Sequence, residues 1–230
     1  MKYPNLAHGV KKIFTSEVLA LIASVCTGIG LLMTLLMVQS GENIESGIVT
    51  DLNAAGFFAG LGGTMIFMLG AVVLLIIAFI FGVQGMNAAS KDEEDTSYFK
   101  SALFAMIIAI ALQVVSGFIT NASPTVGKFL TTGGTVAQVL TTYFVLYGVS
   151  VMAAKVGDTA LAEKAEKLVI ALCAVYILSI VCSSVPNFAS GTIGTAIAVV
   201  LALLGIILNI VAYVIYLKVL GQAKKTFNEQ

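Results

Sequence analysis

Arginine is absent from this 230-residue chain, and charge of either sign is scarce. The 12 lysines and 12 acidic residues make up 10% of the sequence, against roughly 25% in an ordinary soluble domain. So few charges cannot build a water-facing surface. The missing arginines also exclude a planar, bidentate clamp for a phosphate or carboxylate group, although a lysine can still act as a point charge.

Histidine and cysteine are also sparse, which limits the catalytic, metal-binding and redox sites that the chain can form. The single histidine, His8, precedes the first apolar run, so the runs themselves hold no histidine that could act as a base or metal ligand. Cys26, Cys173 and Cys182 lie within apolar runs, at spacings that match neither a redox pair nor a zinc site. We therefore predict that the protein is not an enzyme and holds no cofactor or metal. The net charge of zero further predicts that it binds no nucleic acid.

Long apolar runs make up most of the rest, and 59% of the residues are hydrophobic. Six runs reach the length of about 20 residues that crosses a bilayer core as a helix, and none contains a charge or a proline. These runs cover residues 18–38, 64–84, 101–120, 132–153, 168–185 and 195–217. The sequence thus predicts an all-α integral membrane protein with a single six-helix transmembrane bundle at 18–230, preceded by an N-terminal stub at 1–17.

The distribution of lysine predicts the orientation of the spans. Lysines precede span one, follow span six, and lie between spans two and three and between spans four and five. Only Lys128 lies on the other side, together with Glu42, Glu45 and Asp51. The positive-inside rule then places both termini in the cytoplasm, with a short C-terminal tail, and groups the spans as three consecutive hairpins. Short loops and the lack of a cleavable leader predict that the protein lies in a cell membrane, specifically a bacterial cytoplasmic membrane.

The segments between the spans predict two kinds of connection. Residues 39–63, 121–134 and 186–194 are rich in turn formers and predict loops, whereas the lysine-rich connections predict helix, with Asp158 or Thr159 as an N-cap. The acidic run at 92–95 predicts a solvated turn. The stub carries Leu6, Val10 and Ile13 at helical spacing and is expected to lie at the level of the lipid headgroups.

Polar and small residues within the spans allow two interpretations. Stripes of small residues at spacings of three and four are typical of helix packing in lipid. Such stripes include Ala20, Ala23, Ser24, Thr27, Gly30 and Thr34 on span one, Ala102, Ala105 and Ala109 on span three, and Gly134 and Gly148 on span four. Amides and hydroxyls could instead converge on a polar cavity, because unpaired amides are costly in hydrocarbon. The residues of this candidate site are Gln113, Gln138, Thr141 and Asn209, with Tyr143 and Tyr213 beside them. The segment 131–135, with three threonines and two glycines, is either a movable mouth or a frayed helix start.

The sequence favours a non-catalytic membrane subunit or scaffold that acts through helix contacts. Its partners would be the lipid bilayer, other membrane proteins or another copy of the chain. The alternative is a passive or partner-driven permease, or a solute-binding subunit, for an uncharged or lipophilic small molecule. That alternative depends on convergence of the four polar residues of the candidate site.

Overall fold

The computed structural model describes residues 3–45, 51–92, 97–184 and 192–229. Over these residues the regular structure is entirely helical, which confirms the all-α fold class. A short 3-10 turn, Ser90–Asp92, follows the second helix. The helices are α1 Pro4–Glu45, α2 Asp51–Ala89, α3 Tyr98–Ile119, α4 Pro124–Lys155, α5 Thr159–Ser184 and α6 Thr192–Glu229.

Four helical stretches are long and apolar enough to cross a membrane. They are Pro4–Leu35, Gly56–Asp92, Tyr98–Ile119 and Pro124–Lys155. These stretches support the prediction of a membrane-embedded protein. Crossing by α5 and α6 stays a prediction, as does the orientation.

The helices extend beyond the predicted spans. Where a loop was predicted at 39–63, α1 continues to Glu45 and α2 already begins at Asp51, and residues 46–50 lie outside the described ranges. Likewise α4 begins at Pro124, within the predicted loop 121–134. The loop predictions are wrong there because an isolated glycine weakens a helix by only about 1 kcal/mol, and a proline suits the first helical position. The predicted loop 186–194 lies mostly outside the described residues.

The chain forms two compact units, of which the smaller is Thr15–Val83. In this unit α1 and α2 pack closely through small residues. A Cβ placed on Gly30 of α1 would lie 3.2 Å from Cγ of Met68 on α2, and the hydroxyls of Thr34 and Thr64 are 3.1 Å apart. Ala23 is fully buried in the same unit. The small-residue stripe predicted on span one is therefore used for helix packing.

The larger unit comprises Met1–Phe14 and Gln84–Gln230. Here α3 and α4 form an antiparallel pair with one continuous register, as two contacts illustrate. Ser116 meets Thr131, with 2.6 Å between the hydroxyl oxygens, and a Cβ on Gly148 would lie 3.0 Å from Cε2 of Phe99. Helix α4 also packs against α5, α5 packs against α6, and α6 contacts α4.

The hydrophobic core of the larger unit lies at one end of its helices. We call it the lysine-rich end, because these helix ends carry Lys11, Lys12, Lys100, Lys155 and Lys218. All six helices contribute side chains there, and most of the largest are fully enclosed. Those with 2% exposure or less include Leu6, Val10, Ile13, Met86, Phe99, Leu146, Val149, Met152, Tyr216, Leu220 and Phe227.

Both ends of the chain contribute to this core. The stub predicted to lie at the headgroup level is the first part of α1, and its apolar residues Leu6, Val10 and Ile13 are buried within protein. The predicted C-terminal tail is the last part of α6, where Phe227 is only 2% exposed. The amphipathic patterns of these segments therefore reflect packing within the protein.

Candidate functional site

The structure places the four residues of the predicted polar site in different surroundings. Gln113 of α3 and Gln138 of α4 are exposed, whereas Thr141 of α4 is buried. The hydroxyl of Thr141 donates to the carbonyl of Ala137 in its own helix, at 3.0 Å. Asn209 lies in α6, and its side chain is outside the described part of the structure. Convergence of the four on one cavity stays a prediction.

Gln113 also has a structural contact with the neighbouring helix. Its Cγ lies 3.0 Å from where a Cβ on Gly134 would be, so its aliphatic stem packs over the glycine of α4. Only a residue without a side chain allows this approach of the two helices. The stem of Gln113 thus belongs to the α3–α4 contact, while its side chain as a whole remains exposed.

A small cavity lies between α4 and α5, and its lining residues on α4 are close in sequence to Gln138 and Thr141. Its volume is about 10 Å³, which is room for one water molecule. Tyr143, predicted beside the polar site, is among its lining residues, whereas Gln113, Gln138 and Thr141 are not. Tyr143 also stacks on Tyr147, with ring centroids 5.8 Å apart. This cavity is too small for an organic solute.

The segment 131–135, predicted as a mouth or a frayed helix start, is regular helix within α4. The hydroxyls of Thr131, Thr132 and Thr135 each donate to the carbonyl four residues earlier, at 3.0 to 3.1 Å. The frayed start is therefore wrong, because the helix begins at Pro124 and the hydroxyls bond to it. A gate at this place stays a prediction.

The first polar cluster of the lysine-rich end is built on Asp92. Its Oδ2 accepts from the backbone N–H of Leu6, and its Oδ1 accepts from Nδ2 of Asn5, both at 2.8 Å. The first amides of a helix need such acceptors, and α1 begins with Pro4 after Tyr3, which supplies no cap of the preferred Ser, Thr, Asp or Asn kind. Asp92 thus supplies the missing cap from 86 positions away along the chain.

The second polar cluster is built on Asp158. Its Oδ1 accepts from the backbone N–H of Leu161 at 2.9 Å, which confirms Asp158 as the N-cap of α5. Its Oδ2 accepts from the hydroxyl of Thr226 in α6, also at 2.9 Å. One carboxylate therefore begins α5 and ties it to the last turns of α6. Nearby, Ser150 of α4 donates to the carbonyl of Ala162 in α5, at 3.0 Å.

Two ionisable side chains of α5 form an ion pair at this end. Lys167 donates to Glu163 one turn away on α5, at 2.6 Å. This hydrogen bond, with the charge attraction, lowers the pKa of Glu163 and raises the pKa of Lys167. Both side chains are exposed, so the pair is a surface contact of small energetic weight. Within the described ranges, no three His, Cys, Asp or Glu side chains cluster as metal ligands.

Comparison with known proteins does not place the chain in a family. No family model matches it, and neither a curated protein nor a solved structure is similar to it. The function must therefore be argued from the geometry of this chain alone.

Proposed function

We propose that the protein is a non-catalytic membrane subunit or scaffold that binds another membrane protein, or a second copy of itself, through helix contacts. The observation that carries the proposal is the exposure of two amide side chains within candidate spans. Gln113 lies in Tyr98–Ile119 and Gln138 lies in Pro124–Lys155. An amide that faces hydrocarbon without a partner loses the hydrogen bonds it makes in water, so such residues face protein or a water-filled space.

The surroundings of Gln113 favour protein as the cover. Gly117 follows one turn later on the same face of α3; it is exposed, and a Cβ placed there would meet nothing within 4 Å. A small residue that lets another backbone approach, next to an amide that can bond across the contact, is the combination typical of helix association in lipid. We assign the Gln113–Gly117 face as the contact surface for the partner helix.

Replacing Gly117 with leucine tests this assignment directly. The larger side chain would block close approach of the partner helix. We therefore expect Gly117→Leu to abolish the self-assembly, or the binding of another protein, that is seen with the wild type. The measurement is native mass spectrometry after extraction in mild detergent and again after transfer to lipid nanodiscs. Gln113→Leu combined with Gln138→Leu should weaken the assembly more mildly, since hydrogen bonds between membrane helices average about 0.6 kcal/mol.

Thr135→Val serves as the matched control. Thr135 is also exposed on α4, but its hydroxyl already bonds to the carbonyl of Thr131, at 3.1 Å, so its loss should leave assembly unchanged. A wild-type protein that is monomeric and free of other proteins in both media would contradict the scaffold. A small molecule that co-purifies, and is lost from the Gln113→Leu, Gln138→Leu variant while the fold is retained, would favour the solute-binding alternative.

The proposal includes six crossings of a cell membrane, of the bacterial cytoplasmic kind, with both termini inside. What supports this orientation is the lysine distribution of the sequence. In a cysteine-free background, a cysteine at Glu45 should be labelled by an impermeant reagent on intact cells. One at Lys164 should react only after the cells are opened. The reverse pattern would overturn the orientation.

A further inference from the structure

An open groove lies at the lysine-rich end, between the C-terminal part of α6 and the first part of α1. Its volume is about 580 Å³. Along α6 the lining is apolar at Val214 and Leu217 and becomes basic at Lys218, Lys224 and Lys225, and Phe14 lines the groove from α1. The lining thus changes from hydrocarbon to cationic along α6.

The basic end of the groove has no acidic counterpart in the described part of the chain. No carboxylate lines it, and no described carboxylate lies within 4 Å of the three lysine ammonium groups. The ammonium of Lys224 lies 5.1 Å from the centre of the Phe14 ring, a cation–π contact that holds this charge over the apolar wall. The groove therefore offers three positive charges with no carboxylate partner among the described residues, and an adjoining apolar surface.

We propose that this groove binds an anionic phospholipid of the surrounding bilayer, with the phosphate among the three lysines and an acyl chain along the apolar wall. Two observations select this occupant. Phe14 belongs to Pro4–Leu35, a helical stretch long and apolar enough to cross a membrane, so a bilayer around this helix would bring acyl chains to the apolar wall. The charge is complementary, as in the basic pockets that bind acidic headgroups beside membrane helices. A free inorganic anion would leave the apolar wall uncovered.

The chemistry of lysine sets the selectivity of this site. Because the chain has no arginine, the phosphate is held by point charges rather than by a planar fork. The groove should therefore select for headgroup charge and discriminate weakly among anionic headgroups of different shape. The inference does not depend on the scaffold proposal, because it uses neither the Gln113–Gly117 face nor a protein partner.

The test is lipid retention by the full chain in nanodiscs that contain equal parts of phosphatidylglycerol and phosphatidylcholine. We expect the wild type to retain phosphatidylglycerol preferentially in native mass spectrometry after release from the disc. Each lysine near an anionic surface is worth roughly a fivefold change in affinity, so the triple variant Lys218→Gln, Lys224→Gln, Lys225→Gln should lower retention tenfold or more. Retention should also fall as salt is added.

The matched control removes the same charge elsewhere. Lys91→Gln, Lys100→Gln, Lys164→Gln replaces three exposed lysines outside the groove and should retain the lipid like the wild type. Circular dichroism and thermal unfolding of both variants show that the helices remain intact. Phe14→Leu offers a second variant, which keeps the apolar wall but removes the cation–π contact, and it should lower retention by a smaller factor.

Three outcomes would overturn the lipid site. The first is equal loss of phosphatidylglycerol from the groove variant and the control, since the total charge of the protein, and not the groove, would then explain retention. The second is retention of phosphatidylcholine as strong as that of phosphatidylglycerol. The third comes from delipidated protein in neutral detergent: if inorganic phosphate competes there as well as phosphatidylglycerol does, the groove recognises a free anion and not a lipid.

Discussion

The two ends of the α3–α4 pair differ sharply in how their large side chains are covered. At the lysine-rich end, Phe99 of α3 and Leu146 of α4 are completely buried. At the opposite end of the same two helices, Phe118 is 80% exposed and Phe129 is 78% exposed. The helices remain in contact there, but through the small and polar residues Ser116 and Thr131.

The two ends use different modes of helix association. At the lysine-rich end, large apolar side chains from six helices pack together in an enclosed core. At the opposite end, close approach and hydrogen bonds such as that between Ser116 and Thr131 join the helices, a mode typical of helix association in lipid. The comparison teaches that one pair of helices can use two modes of association along its length.

The largest predicted effect comes from removing a side chain from the packed end. Leu146→Ala should lower the free energy of unfolding by about 2–5 kcal/mol, because Leu146 is completely buried and its truncation leaves a cavity in the core. Leu140→Ala, on the same helix but 43% exposed, should cost well under half as much. Thermal or denaturant unfolding in one detergent measures both. Equal losses for the two variants would mean that the packed end has no special weight.

An intermediate effect is expected from adding a methyl group where helices touch. A Cβ on Gly9 would lie 2.5 Å from the backbone nitrogen of Ala89, so Gly9→Ala forces the backbones of α1 and α2 apart. We expect a loss of about 1–3 kcal/mol. Gly28→Ala is the control on the same helix, because a Cβ there meets nothing within 4 Å; it should be neutral or stabilise by about 0.5–1 kcal/mol. Unfolding midpoints that shift alike would refute the close contact at Gly9.

The smallest effect concerns the polar cap of α1. Asp92→Ala removes the acceptor of the Leu6 amide and should cost about 0.5–2 kcal/mol. Hydrogen exchange resolves it best, since the amides in the first turn of α1 should exchange faster while those of α4 are unchanged. Glu166→Ala, which removes an exposed acidic residue from α5, controls for the change in charge. Unchanged protection of Leu6 in the Asp92 variant would contradict the capping role.

Features with a strong local signal were predictable from the sequence. The apolar runs predicted the helical class. Asp158 or Thr159 was predicted as a cap because both directly precede a helix-forming stretch, and the cap is Asp158. The small residues Gly134, Gly148 and Ala109 lie buried in the α3–α4 contact, as their spacing predicted. In each case the residues that determine the structure are close in sequence, so a periodic pattern or a capping signal identifies them.

Features that depend on distant partners could not be predicted. Asp92 was assigned to a solvated turn, because nothing in its neighbours indicates an acceptor for α1; the only signal was that α1 lacks a cap of its own. The stub pattern of Leu6, Val10 and Ile13 fits a lipid surface as well as a protein core, and only the packing decides between them. For Gln113 and Gln138 the sequence could show that they need partners but not which surface supplies them.

The last turns of α6 have a practical consequence for measurements on the whole molecule. Phe227 is part of the core, and Thr226 is bonded to Asp158, so the helix is anchored nearly to its final residue. A fluorophore or spin label attached just after Glu229 would move with the core instead of swinging on a loose tether. Distances measured from such a label would report on motions of the core itself.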